Sequence, residues 1–172
     1  MENQASSKSI ILNYGLYAGL ASILIAVILY AMGNSVNPGV LMSIVSFVIP
    51  IVILVLGIKK FKETNGGFMS WGQGVKVGVG VALMWGILAL IFQLVLKNVI
   101  DPSLIEQELQ FTRTTLENFG MAQDVIDQQI EAARNQSPII STAFGLIFFA
   151  IVGFIVSAIA AAIMKQSAEE QY

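Results

Sequence analysis

The stretch VKVGVGVALMWGILALIFQLVL, Val75–Leu96, decides the fold. It carries one charge, Lys76, at its edge, and one strong hydrogen-bonding group, Gln93, deep inside. Its apolar residues form a block rather than a stripe of helical or strand period. A helix needs about 20 such residues to cross the ~30 Å hydrocarbon core of a bilayer. Ile10–Met32, Val40–Ile58 and Ile139–Met164 read the same way, and none of these three contains a charge. Backbone groups in lipid must bond within the structure, so the four segments are expected to be helices. The alternation of a membrane β-barrel is absent.

Composition agrees. The chain is 56% hydrophobic and 12% charged, with a mean hydropathy of +0.77, against about 25% charged residues in an ordinary soluble domain. The expectation is an all-α integral membrane protein, a single membrane domain over residues 1–172. Cysteine and histidine are both missing. That excludes disulfides, thiol catalysis, thiolate metal sites, a serine–histidine–aspartate triad and histidine-ligated haem or zinc. No cofactor or metal is expected. The net charge of −2 gives no electrostatic case for nucleic acid. Ile10–Met32 is longer than the apolar core of a signal peptide, so a retained first helix is expected.

Lysines give the segments a direction. Lys59, Lys97 and Lys165 each stand directly after one of the four segments. Lys8, Lys59, Lys60, Lys62, Lys76 and Lys165 would lie on one side, and Lys97, Arg113 and Arg134 are spread over a longer stretch on the other. Positive charge marks the cytoplasmic face. Both termini and the loop from Lys59 to Gly74 are therefore expected inside, with the Gly33–Gly39 turn and residues 101–137 outside.

Small residues recur at four-residue spacing: Gly15 and Gly19 in the first segment; Gly74, Gly78, Ala82 and Gly86 in the third; Gly153 and Ser157 in the fourth. Small side chains let backbones approach closely in lipid. Packing within a four-helix bundle is the expected use, and a homo-oligomer contact is the alternative. Gly72-Gln73-Gly74-Val75-Lys76-Val77-Gly78 has neither phosphate-loop nor dinucleotide spacing. Ser70-Trp71-Gly72-Gln73 is a capping box that starts a helix near Trp71. Phe68 and Trp71, set among Lys59, Lys60, Lys62 and Lys76, suit the water–lipid boundary. A phospholipid headgroup or a partner could sit there, although topology alone demands those lysines. Pro50 is expected to kink the second helix. With Gln93 it is the candidate lining of any cavity.

Residues 101–137 hold seven of the eleven acidic residues. Asp101-Pro102 opens a helix, Gly120 stops it, and a second amphipathic helix follows from Met121 to Asn135. The pairs Asp124/Asp127 and Glu106/Glu108 are read as a solvated face, since the calcium-loop pattern is missing.

The chain resembles the bacterial inner-membrane family catalogued as domain of unknown function 4199, common among Bacteroidota. Tyr14-Gly15-Leu16, Gly57-Ile58-Lys59-Lys60-Phe61 and above all Asn65–Gly78 carry the resemblance. It implies four membrane helices and an inner-membrane location, and it implies no activity. The leading functional expectation is a non-enzymatic scaffold or accessory subunit, binding a partner through the outer hairpin 101–137 or the lysine loop 59–74. The alternative is a small-solute transporter or channel working as an oligomer, lined by Gln93, Pro50 and the membrane serines. A lipid-modifying enzyme would have only Glu63, Lys76 and Ser70 to work with.

Overall fold

The structure is a computed structural model and describes residues 7–166. The extreme termini, expected to be cytoplasmic, lie outside the described residues. Six α-helices follow in order: α1 (Ser7–Ala31), α2 (Gly39–Thr64), α3 (Trp71–Val95), α4 (Ser103–Asn118), α5 (Gln123–Arg134) and α6 (Pro138–Met164). A π-helical turn, Leu96–Ile100, extends α3. Four of the helices, α1, α2, α3 with its π-turn, and α6, are long and apolar enough to cross a membrane.

Helix boundaries reflect local chemistry. Ser70 Oγ accepts from the Gln73 N–H at 3.2 Å and Gln73 Oε1 accepts from the Ser70 N–H at 2.9 Å. This reciprocal cap starts α3 at Trp71, as the sequence predicts. α2 differs from expectation. It runs past Lys59, Lys60 and Lys62 to Thr64, so the expected loop from Lys59 to Gly74 contracts to the short turn around Asn65–Ser70. Lysines end the apolar run but not the helix, because they are good helix formers and suit its negative C-terminal end. Gly66, at φ +69°, ends α2, and the Gly67 N–H returns to the Lys62 carbonyl at 3.0 Å. Gly120, at φ +73°, ends α4 the same way, with the Met121 N–H on the Leu116 carbonyl at 3.2 Å. α5 begins at Gln123, two residues later than expected. α2 carries through Pro50 as one helix.

α3 is the central helix and packs against α1, α2 and α6. Its first small-residue face meets α6 in antiparallel register: Gly74 against Ala161, Gly78 against Ser157, Ala82 against Gly153, Gly86 against Phe149. Its second face meets α1 in parallel register: Gly80 against Ile11, Met84 against Gly15, Leu88 against Gly19. Gly57 of α2 receives Tyr14 of α1. These pairs occupy the expected packing residues inside the chain. At the lysine-rich end the bundle is filled by residues such as Leu54, Ile58, Val77 and Val81. Leu20, Leu24, Ile151 and Phe154 face outward, as a lipid environment allows.

Candidate functional site

The other half of the bundle is not filled. A cleft of about 290 Å³ opens between α1, α2, α3 and α6. Trp85, Ala89 and Gln93 reach it from α3, Ser22, Ala26 and Leu29 from α1, Ser46 and Phe47 from α2, and Phe149 from α6. The spacings of three and four place the α1 and α3 sets each on one helix face. Trp85 is only 3% exposed and meets Phe149 edge to face, with ring centroids 4.8 Å apart.

Two of the described residues around this cleft, Ser22 and Trp85, carry a buried polar atom without a partner. Ser43, Ser46, Thr142 and Ser157 each donate to the carbonyl four residues earlier, the usual sink for a hydroxyl in a membrane helix. Ser22 does not: among the described residues its Oγ, the Ser35 Oγ and the Trp85 Nε1 are buried with no hydrogen-bond partner. Leaving such a group unpaired costs about 1–3 kcal/mol. Pro50 contributes indirectly. It has no N–H, so the carbonyl of Ser46, four residues ahead on α2, lacks its helical donor. Pro50 itself is fully buried and is not part of the lining, whereas Gln93 is.

Gln93 also lines a smaller void of about 80 Å³ that leads toward α4, with Ser35, Leu96, Lys97, Leu104 and Glu108 among its walls. Here the π-turn brings Lys97 to Glu108, Nζ to Oε at 2.7 Å. π-turns widen a helix locally and recur at functional sites. Two more ion pairs climb the hairpin: Arg134 with Glu106 at 2.9 Å and Arg113 with Asp127 at 2.7 Å. Leu109, Ile126 and Ile130 form its own core. Asp101 Oδ1 accepts from the Ser103 N–H at 3.1 Å and starts α4. The acidic face stays solvated, with Glu106, Glu108 and Asp127 52%, 43% and 64% exposed at the side chain, and each of the three also carries an ion pair. Glu106, Glu108 and Asp127 each hold a different cation, because α5 brings Arg134 to Glu106 and Asp127 to Arg113 of α4, and the π-turn brings Lys97 to Glu108. The paired carboxylates do not converge on one point.

At the lysine-rich end, Lys59 and Lys60 lie 4.0 and 3.9 Å from Glu63. Lys59, Lys62, Glu63, Gly67 and Met164 border a shallow surface depression. Lys76 is exposed and Phe68 half-buried. Trp71 Nε1 donates to the Ala158 carbonyl at 3.1 Å. Met69 and Gln166 exchange both backbone hydrogen bonds, at 3.0 and 2.9 Å, which ties the end of α6 to the turn before α3. Ser70 caps α3 and Glu63 lies against the two lysines, so the candidates for lipid chemistry are engaged separately.

Sequence reasoning singles out Gln93, which lines the cleft, but not Trp85, which lines it too. A signal was present: tryptophan favours the membrane interface, and Trp85 stands in the middle of its apolar block. The family described as "Protein of unknown function (DUF4199)" has a model that matches residues 13–166. No curated protein and no solved structure matches the chain.

Proposed function

The chain belongs to the DUF4199 family, and we propose from its geometry that it is a non-enzymatic accessory protein of the cytoplasmic membrane that engages a partner through the α4–α5 hairpin. One observation carries this reading. The hairpin has its own core, and of the other named elements its backbone approaches only the π-turn. It is thus presented beyond the bundle rather than packed into it. Phe119, at its tip, is 79% exposed and so can be reached by a partner. In this reading the lysine end lies in the cytoplasm, following the positive-inside rule.

The transporter or channel reading draws on the cleft. The cleft stops at Trp85 and Phe149, and the packed lysine half lies beyond it, which weighs toward binding rather than passage.

A photo-crosslinking residue in place of Phe119, in intact membranes, tests the proposal. A discrete adduct to another protein is expected, absent when the same residue replaces lipid-facing Leu24 and reduced when Phe111→Glu is added. Identical adduct patterns at positions 119 and 24 would overturn the reading.

A further inference from the structure

We propose that the depression at the lysine-rich end of the bundle is a binding site for one anionic phospholipid, whose phosphate sits between Lys59 and Lys62. It lies at the opposite end of the bundle from the hairpin and goes beyond the hairpin reading.

The positive-inside rule asks only for a number of lysines on one side. The structure adds a placement. α2 continues as a helix through Lys62, so Lys59 and Lys62, three residues apart, are neighbours on its surface. They border a depression of about 350 Å³ together with Glu63, Gly67 of the turn before α3 and Met164 at the end of α6. Met164 gives it an apolar wall, and Gly67 brings no side chain to cover it.

The charges around the depression do not cancel. Lys62 has no carboxylate partner among the described residues. Lys59 and Lys60 share one, Glu63, at 4.0 and 3.9 Å. Ion pairs this long and this exposed are weak, so a phosphate can engage Lys59 without breaking a strong contact. Three lysines against one carboxylate leave a positive excess. An acidic lipid gains from that excess, whereas a zwitterionic lipid brings its own cation into it.

The position suits a lipid rather than a free anion. Lys59 directly follows Ile58, the last residue of the apolar run. Leu56, one turn before Lys59, and Ile163, next to Met164, are both exposed. The lysines thus stand at headgroup level above an apolar flank along which acyl chains can lie. Trp71, exposed at the same end, is a residue type of the water–lipid boundary. Basic pockets between membrane helices are a recurrent way of holding acidic headgroups.

The test is a lipid titration of the full-length protein, delipidated in a neutral detergent, with bound lipid counted by native mass spectrometry. Detergent removes the protein's orientation from the readout. Phosphatidylglycerol should add one saturable copy, in clear preference to phosphatidylcholine with the same chains. Lys59→Gln with Lys62→Gln should weaken that adduct by about fivefold for each lysine removed, the share of one lysine near an acidic lipid surface. Lys59→Arg with Lys62→Arg keeps the charge and should keep the adduct. Lys8→Gln with Lys76→Gln is the control. It removes the same charge from the same end, but both residues stand about one turn from the contact of Ile11 with Gly80, on the α1–α3 side. It should leave the adduct unchanged. An unchanged unfolding temperature in each variant separates lost binding from lost fold. The proposal is overturned if the two glutamine pairs weaken the adduct equally, which would make the effect one of diffuse charge. It is overturned too if phosphatidylglycerol adds no better than phosphatidylcholine. Displacement of the lipid by inorganic phosphate at matching concentration would also overturn it, since the site would then be one for a free anion.

Discussion

Gly78 of α3 lies so close to Ser157 of α6 that a Cβ on residue 78 would collide with the serine side chain. The same holds one helical turn away on either side, for Gly74 with Ala161 and for Ala82 with Gly153. Helices in lipid gain little from hydrophobic burial, so contact area must come from backbones that can touch. The α3–α6 seam achieves this with no large side chain until Phe149 covers Gly86. The chain uses this face on itself, and a homo-oligomer would need another.

Replacing Gly78 by leucine should therefore break the seam rather than extend it. Overpacking of a tight core costs about 1–3 kcal/mol, and here α6 would have to move away from α3. A clear fall in the unfolding temperature of detergent-solubilised protein is expected. Gly72→Ala is the matched control: a Cβ there meets nothing within 4 Å. In a helix it should gain about 0.5–1 kcal/mol. Equal effects from the two substitutions would refute the seam.

The hairpin should depend on its ion pairs unequally. Lys97 and Glu108 are 28% and 43% exposed at the side chain, against 37% and 64% for Arg113 and Asp127. Exposed pairs contribute about 0–1 kcal/mol and weaken with salt. Glu108→Gln should thus loosen the foot of α4 more than Asp127→Asn loosens its middle. Hydrogen exchange measures this: faster exchange of the α4 amides is expected in the first variant, with α1, α2 and α6 unchanged. Uniform acceleration through the whole chain would show that the hairpin is not a separate unit.

What the sequence reveals here is local. The Ser70–Gln73 cap, the Gly120 stop and the four apolar blocks depend on residues within a few positions of each other, and each stands where the pattern puts it. α2 outruns its expected end at Ile58 because Lys59 closes the apolar run without stopping the helix, which continues to Thr64. The cleft was not legible for a different reason. Ser22, Ser46, Trp85 and Phe149 belong to four helices, and nothing in any one helix says that the four faces fail to fill the space between them. The pairing of Glu106 and Glu108 with separate cations is likewise a product of how α4, α5 and the π-turn meet.

The lysine end should be held by a backbone contact that no side chain reports. Met69 and Gln166 exchange two hydrogen bonds, and Met69 is buried beneath them. Slow amide exchange at both residues is expected, together with loss of that protection in Gln166→Pro, which removes one donor. The bundle itself should stay folded, because the α3–α6 seam lies further along. Fast exchange at Met69 in the unaltered protein would mean that the bridge does not form.

Orientation offers the last test, and the missing cysteines make it simple. The chain has none, so any single engineered cysteine is the only reactive thiol. Phe119→Cys places it at the hairpin tip, and Thr64→Cys places it at the exposed end of α2 beside Lys59, Lys60 and Lys62. The lysine excess at the α2 end predicts that this end faces the cytoplasm. A membrane-impermeant maleimide added to intact cells should label position 119, and should reach position 64 only after the cells are opened. The reverse pattern would place the hairpin in the cytoplasm. Charge also makes a second-order test possible. Lys59→Gln, Lys60→Gln and Lys62→Gln together leave Lys8, Lys76 and Lys165 as the inward bias, so a mixed labelling pattern is expected if lysine number sets the direction. Unchanged labelling would show instead that the acidic hairpin, or the first helix alone, fixes it.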